Sequence, residues 1–88
     1  MLNDNQRGLL QFLIYPVQFD ENPIHGVDRV LEFEVRRNRK NIGLGEYLAA
    51  IQAGLQSDER LSDLIPQKHT ESSIRTYLAE MRRRLQNA

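Results

Sequence analysis

Residues 61–85 read LSDLIPQKHTESSIRTYLAEMRRRL, and their spacing decides the fold class. Leu61, Leu64 and Ile65 follow a helical pattern that stops at Pro66, because proline ends or precedes helices far more readily than it continues them. A polar turn follows, Gln67-Lys68-His69-Thr70. A longer pattern then begins at once. Ile74, Tyr77, Leu78, Met81 and Leu85 recur as one face of a single helix. Its opposite stripe carries Ser72, Arg75, Thr76, Ala79 and Arg83. Thr70 stands where a hydroxyl caps free backbone amides. Arg82, Arg83 and Arg84 fall in the last turns, where the helix dipole favours cations.

Working back from this hairpin, Leu44, Leu48, Ile51 and Leu55 predict a helix over about 44–56 with those four side chains on one apolar face. Ser57 is placed to cap a short helix over 58–65, with Asp58 and Glu59 in its first turn. Asn38–Gly45, NRKNIGLG, reads as a basic turn. Residues 24–40 fit two patterns. Ile24, Val27, Leu31 and Val35 make a helical face behind Asn22 as cap and Pro23 at the first helical position. Leu31, Phe33 and Val35 also alternate like a strand. Helix is favoured, since a single strand would have no partner. Pro16 and Pro23 bracket the polar loop VQFDENP. A first helix, capped by Asn3 or Asp4 and apolar on most sides, runs to about Tyr15. The expectation is an all-α chain: one domain over 1–88, with four to five helices. It has a helical part at 1–40 and a tri-helical unit, helix-turn-helix-like, at 44–86.

Eighty-eight residues suffice for one modest core. With no cysteine there are no disulfides or thiolate metal sites, which points to a cytoplasmic home. No apolar run approaches a membrane span, and the first ten residues lack the pattern of a secretory signal. Formal net charge is zero, yet its distribution is split. Residues 1–35 carry six acids and two bases; residues 36–88 carry ten bases and six acids. A basic half can neutralise phosphates locally even when the total is silent. The two halves can equally attract each other within the fold.

The unit at 44–86 resembles Myb-like and homeodomain-like helix-turn-helix domains. The residues that carry the resemblance are the short pattern before Pro66, the polar turn with Lys68 and Thr70, and the opening Ser72-Ser73-Ile74-Arg75 of the last helix. The chain departs from that pattern in having no tryptophan and in placing Glu71 and Glu80 on the presumed reading helix. The resemblance implies a small bacterial or phage-type DNA-binding protein, a transcription regulator or the DNA-binding piece of a larger assembly. Ser72, Ser73, Arg75, Thr76 and Ala79 would face the major groove, with Arg83 further along the same stripe as a DNA contact. Residues 1–40 have no counterpart in that unit; there Arg36, Arg37, Arg39 and Lys40 form the densest basic cluster, which, with Lys68, would contact DNA by gripping the backbone or reaching a minor groove, a solvated helix end being the plainer reading of the cluster. For Arg75 an ion pair with Glu71, four residues back, is open as the plainer reading. For Ser72 it is ordinary chemistry at a helix start.

A protein-binding module is the rival. FLIY, QFDEN and YLAEMRRRL faintly resemble helical contact-inhibition immunity proteins. That resemblance implies that Asp20, Glu21, Asp28, Glu32 and Glu34 neutralise a basic protein partner, as an immunity protein or antitoxin does. The first forty residues could also form a homodimer face. His25 and His69 are isolated, so no metal is expected. Neither a phosphate-cradling glycine loop nor a nucleophile elbow occurs, and no cofactor or catalytic residue is assigned; an enzyme is the least supported class.

Overall fold

The first helix is fixed by its own sequence. In the computed structural model, which describes residues 2–36 and 42–87, Asn3 accepts a hydrogen bond from the Gln6 amide at 2.8 Å. Gln6 returns one from the Asn3 amide at 3.1 Å. This reciprocal box starts α1, Asp4–Ile14, and satisfies amides that would otherwise be orphaned. A 3₁₀ turn, Tyr15–Val17, follows where Pro16 cannot extend the α-helix. Pro23–Gly26 forms a second 3₁₀ turn behind the Asn22 cap and leads into α2, Val27–Val30. α2 widens into a π-helical stretch, Leu31–Val35, closed by an Arg36 amide bond to the Leu31 carbonyl at 2.9 Å. The ambiguity at 24–40 is thereby settled as helix through Arg36. A strand would have put Phe33 with Leu31 and Val35; instead both of those are buried and Phe33 is exposed.

After the described residues resume comes α3, Leu44–Gln56, then α4, Glu71–Gln86, with Thr70 accepting from the Ser73 amide. No strand occurs among the described residues, and the chain is an all-α fold. α3 packs against both α1 and α4, while α2 and the turn before it cover another flank of α4. Leu10, Leu13 and Ile14 of α1 meet Ile51 of α3 and Ile74, Tyr77, Leu78 and Met81 of α4 in one buried cluster. Of the face expected from its periodicity, Ile74, Tyr77, Leu78 and Met81 are buried and Leu85 is half-buried against the core.

Two expectations need correction. The inward face of α3 is Tyr47, Ala50, Ile51 and Gly54, not the row of leucines; Leu44 is exposed and Leu48 and Leu55 are half-buried. The reason is closeness. A Cβ on Gly54 would stand 2.9 Å from Leu10 Cδ1, so α1 rides directly on the α3 backbone there. The Tyr47 ring pairs with Phe12 at 6.2 Å between centroids.

The helix expected over 58–65 is only a 3₁₀ turn, Leu61–Asp63. A helix beginning at Asp58 would bond the Leu61 amide to the Ser57 carbonyl. Both groups are taken by side chains of α4: Ser57 O accepts from Arg75 and Leu61 N donates to Glu71. Ser57 instead closes α3, its hydroxyl donating to the Gly54 carbonyl at 2.8 Å.

The Tyr77 hydroxyl donates to the Leu13 carbonyl at 2.6 Å across the buried core, tying α4 to α1. Tyr77→Phe removes that bond while keeping the ring. It is expected to cost about 1–2 kcal/mol, measured by urea unfolding with an unchanged m-value.

Candidate functional site

α4 divides its polar side chains between two tasks. Arg75 lies partly covered and turns inward. Its Nε donates to Glu71 Oε2 at 2.8 Å, Nη1 to the Leu55 carbonyl at 3.1 Å, and Nη2 to the carbonyls of Ser57 and Glu59 at 3.0 and 2.9 Å. Glu71 completes the arrangement by accepting from the amides of Leu61 and Ser62 at 3.0 and 2.8 Å. Arg75, the residue expected to contact bases, is therefore engaged within the fold. The ion pair at its i−4 position is present, and the pair reads backbone rather than a ligand. Only arginine's planar fork reaches three carbonyls and a carboxylate together.

The other expected residues remain outward. Ser72 and Thr76 are exposed, Ala79 is half-buried, and Arg83 is exposed at the end of the stripe. Two open, shallow grooves flank this stripe. Leu55 and Ser72 border one and Ile24 and Gln86 the other, and both share Thr76, Ala79 and Arg82. Arg82 is thus a groove-lining cation that stripe periodicity alone did not assign. Lys68 is exposed in the turn ahead of α4.

The acids of α4 are neutralised locally. Burial pushes the Glu71 carboxyl up, but the Ser62 and Leu61 amides and Arg75 outweigh it, and the net shift is downward. Arg83 holds Glu80 below the ordinary carboxylate value, and Glu80 in turn raises Arg83. Arg84 Nε also donates to Glu80, at 3.2 Å, while its Nη1 pairs with Asp28.

Arg36 is exposed and lies 3.7 Å from Glu32. Arg37, Arg39 and Lys40 lie outside the described residues, as does the side chain of Glu34. Of the acidic residues expected to meet a protein, Asp20 pairs with Arg29 at 2.8 Å, Asp28 with Arg84 and Glu32 with Arg36, while Glu21 is exposed. Among the described residues no group of His, Cys, Asp or Glu is placed to hold a metal, and no helix is long and apolar enough to cross a membrane. Comparison with family models, curated proteins and solved structures finds no match.

The Arg75–Glu71 geometry predicts a loss of stability from either side chain. Arg75→Ala strands three carbonyls and a carboxylate and is expected to cost about 2–3 kcal/mol, with Arg75→Lys recovering little. Glu71 and Glu59 both sit below their ordinary value of 4.5; for Glu59 burial again opposes, and Arg7 and the Leu2 amide prevail. Depressed carboxyls stabilise the fold above that value and lose their contribution as pH falls through and below it. Melting temperature should therefore hold from neutrality to about pH 5 and fall steeply towards about pH 3. Glu71→Gln should be less stable at neutrality and show a shallower acid limb.

Proposed function

We propose that this chain binds DNA, laying the outward stripe of α4 against the duplex. The observation that carries the reading is the character of that stripe: Ser72, Thr76 and Ala79 are small, two of them are exposed, and Arg82 and Arg83 stand at its end. Small side chains let a helix approach base edges closely. A Thr or Ala methyl meets the thymine methyl, and hydroxyls bond either bases or phosphates.

The internal pairing of Glu71 and Glu80 supports the same reading. Those acids would otherwise repel phosphates, and each is already matched by an arginine of the same helix. Over residues 71–86 four arginines face two glutamates, so the helix is net basic. Arg83 is exposed, and a surface ion pair is worth only about 0–1 kcal/mol. It can therefore exchange Glu80 for a phosphate at small cost.

Roles shift accordingly. Arg75 holds the helix in place. Thr76, with Ser72 and Ala79, supplies what base preference there is. Lys68, Arg82, Arg83 and Arg36 supply phosphate contacts. The protein acts by binding and not by catalysis, as a regulator or as the DNA-binding piece of an assembly.

The test is fluorescence anisotropy with a labelled mixed-sequence duplex at low and near-physiological salt. Salt-sensitive binding is expected. Arg82→Ala with Arg83→Ala should weaken it for all sequences and lower the salt slope by roughly one for each phosphate no longer neutralised. Thr76→Glu should abolish it while leaving thermal unfolding unchanged. Absence of binding at low salt, or binding indifferent to Thr76→Glu, overturns the proposal.

A further inference from the structure

Arg83 and Arg84 hold one carboxylate between them. Glu80 accepts from Arg83 Nε at 3.1 and 3.0 Å through its two oxygens, and from Arg83 Nη2 as well. It also accepts from Arg84 Nε at 3.2 Å. The three side chains differ in exposure: 62% for Arg83, 33% for Arg84 and 20% for Glu80. Arg84 is tied a second time, through Nη1 to Asp28 on α2. Among the described residues Arg83 pairs with Glu80 alone.

This geometry decides which member moves. Glu80, Arg82 and Arg83 line the same groove beside Thr76 and Ala79. Arg82 pairs with no carboxylate among the described residues, so it can take a phosphate without giving up a partner. Arg83 must first leave Glu80. A partly covered carboxylate stripped of its cation would be left undercompensated, which is costly. Arg84 prevents this by staying on Glu80 when the more exposed Arg83 swings out. What is given up is then a single exposed ion pair.

We propose that Arg84 is a positioning residue for duplex binding. It keeps Glu80 while Arg83 exchanges that carboxylate for a backbone phosphate, and Glu80 is the internal competitor that limits affinity. The inference rests on the DNA reading of α4. Arg84 acts through Glu80, so its effect disappears when Glu80 carries no charge. A cation that touched the duplex itself, or one that only tied α2 to α4, would act whether or not Glu80 is charged.

The test is a set of double-mutant cycles on the full chain, read by anisotropy of the labelled mixed-sequence duplex at one low salt concentration. Independent charges give additive changes and coupled ones do not. Glu80→Gln is expected to tighten binding roughly two- to fivefold, the worth of one exposed ion pair, and the gain is lost when Arg83→Ala is also present. Arg84→Ala should weaken binding by a similar factor in the natural chain and leave it unchanged in the Glu80→Gln background. Equal loss from Arg84→Ala in both backgrounds, or equal gain from Glu80→Gln with and without Arg83, overturns the proposal. Should Arg84→Ala prove unfolded by thermal melting at the assay temperature, the Glu80–Arg83 cycle decides alone. A natural chain that binds no duplex overturns the DNA reading and this inference together; one that binds with additive changes overturns this inference only.

Discussion

Arg75 and Glu71, one turn apart on α4, together hold five backbone groups of the chain between Leu55 and Ser62. An i, i+4 ion pair on a solvated helix is worth only about 0.3–0.5 kcal/mol. The weight here comes from the backbone. Three carbonyls and two amides would otherwise lose solvent without a partner, and each bond to a charged group contributes about 1.5–3 kcal/mol before non-additivity. The pair converts what would be a weak surface contact into the clamp between the end of α3 and the start of α4.

Much of the remaining packing depends on that clamp. With its carbonyl on Arg75, Glu59 is oriented so that its carboxylate takes the Leu2 amide at 3.2 Å and Arg7 at 2.8 Å. The N-terminal end of α1 is thereby fastened to the same loop. Leu61, whose amide is on Glu71, is fully buried close to Gly54. Gln11 on α1 reaches the Leu64 carbonyl at 3.0 Å, and Gln67 spans the carbonyls of Ser62 and His69. A loop whose regular structure is the single 3₁₀ turn Leu61–Asp63 is thus held through many of its backbone groups, as buried backbone requires.

Much of this was legible in the sequence, where it depended on neighbours along the chain. The Asn3 and Thr70 caps, the break at Pro16 and the inward row of α4 are local matters of spacing and hydrogen bonding. The inward face of α3 was misread because aliphatic periodicity gives no weight to Gly54 and Ala50, whose smallness brings α1 close, and ranks Tyr47 below leucine. The missing helix at 58–65 was hidden for another reason. Its local signals were adequate, but the groups it needed are bonded from residues ten to twenty positions away. The Glu71–Arg75 spacing showed the pair and not its targets. For the candidate site, exposure of Ser72, Thr76 and Arg83 followed from the helical stripe, while the inward turn of Arg75 did not.

The use of Arg75 as a clamp constrains what α4 can recognise. A reading helix normally draws sequence preference from long side chains that span a base edge, and arginine on guanine gives the largest single contribution. Here the long side chain at the centre of the stripe is engaged within the fold, and Thr76 and Ala79, with Arg82, line both neighbouring grooves. The cations remaining, Arg82 and Arg83, sit towards the C-terminal end. Contact through such a surface is governed by how closely backbone and methyl groups approach the duplex and by phosphate charge, so preference would arise from groove shape and thymine methyls more than from hydrogen-bonded guanine. Under the DNA-binding proposal, affinity and discrimination would rest on different residues: the arginines would set how tightly any duplex is held, and the small residues would set which duplex lets the helix come close.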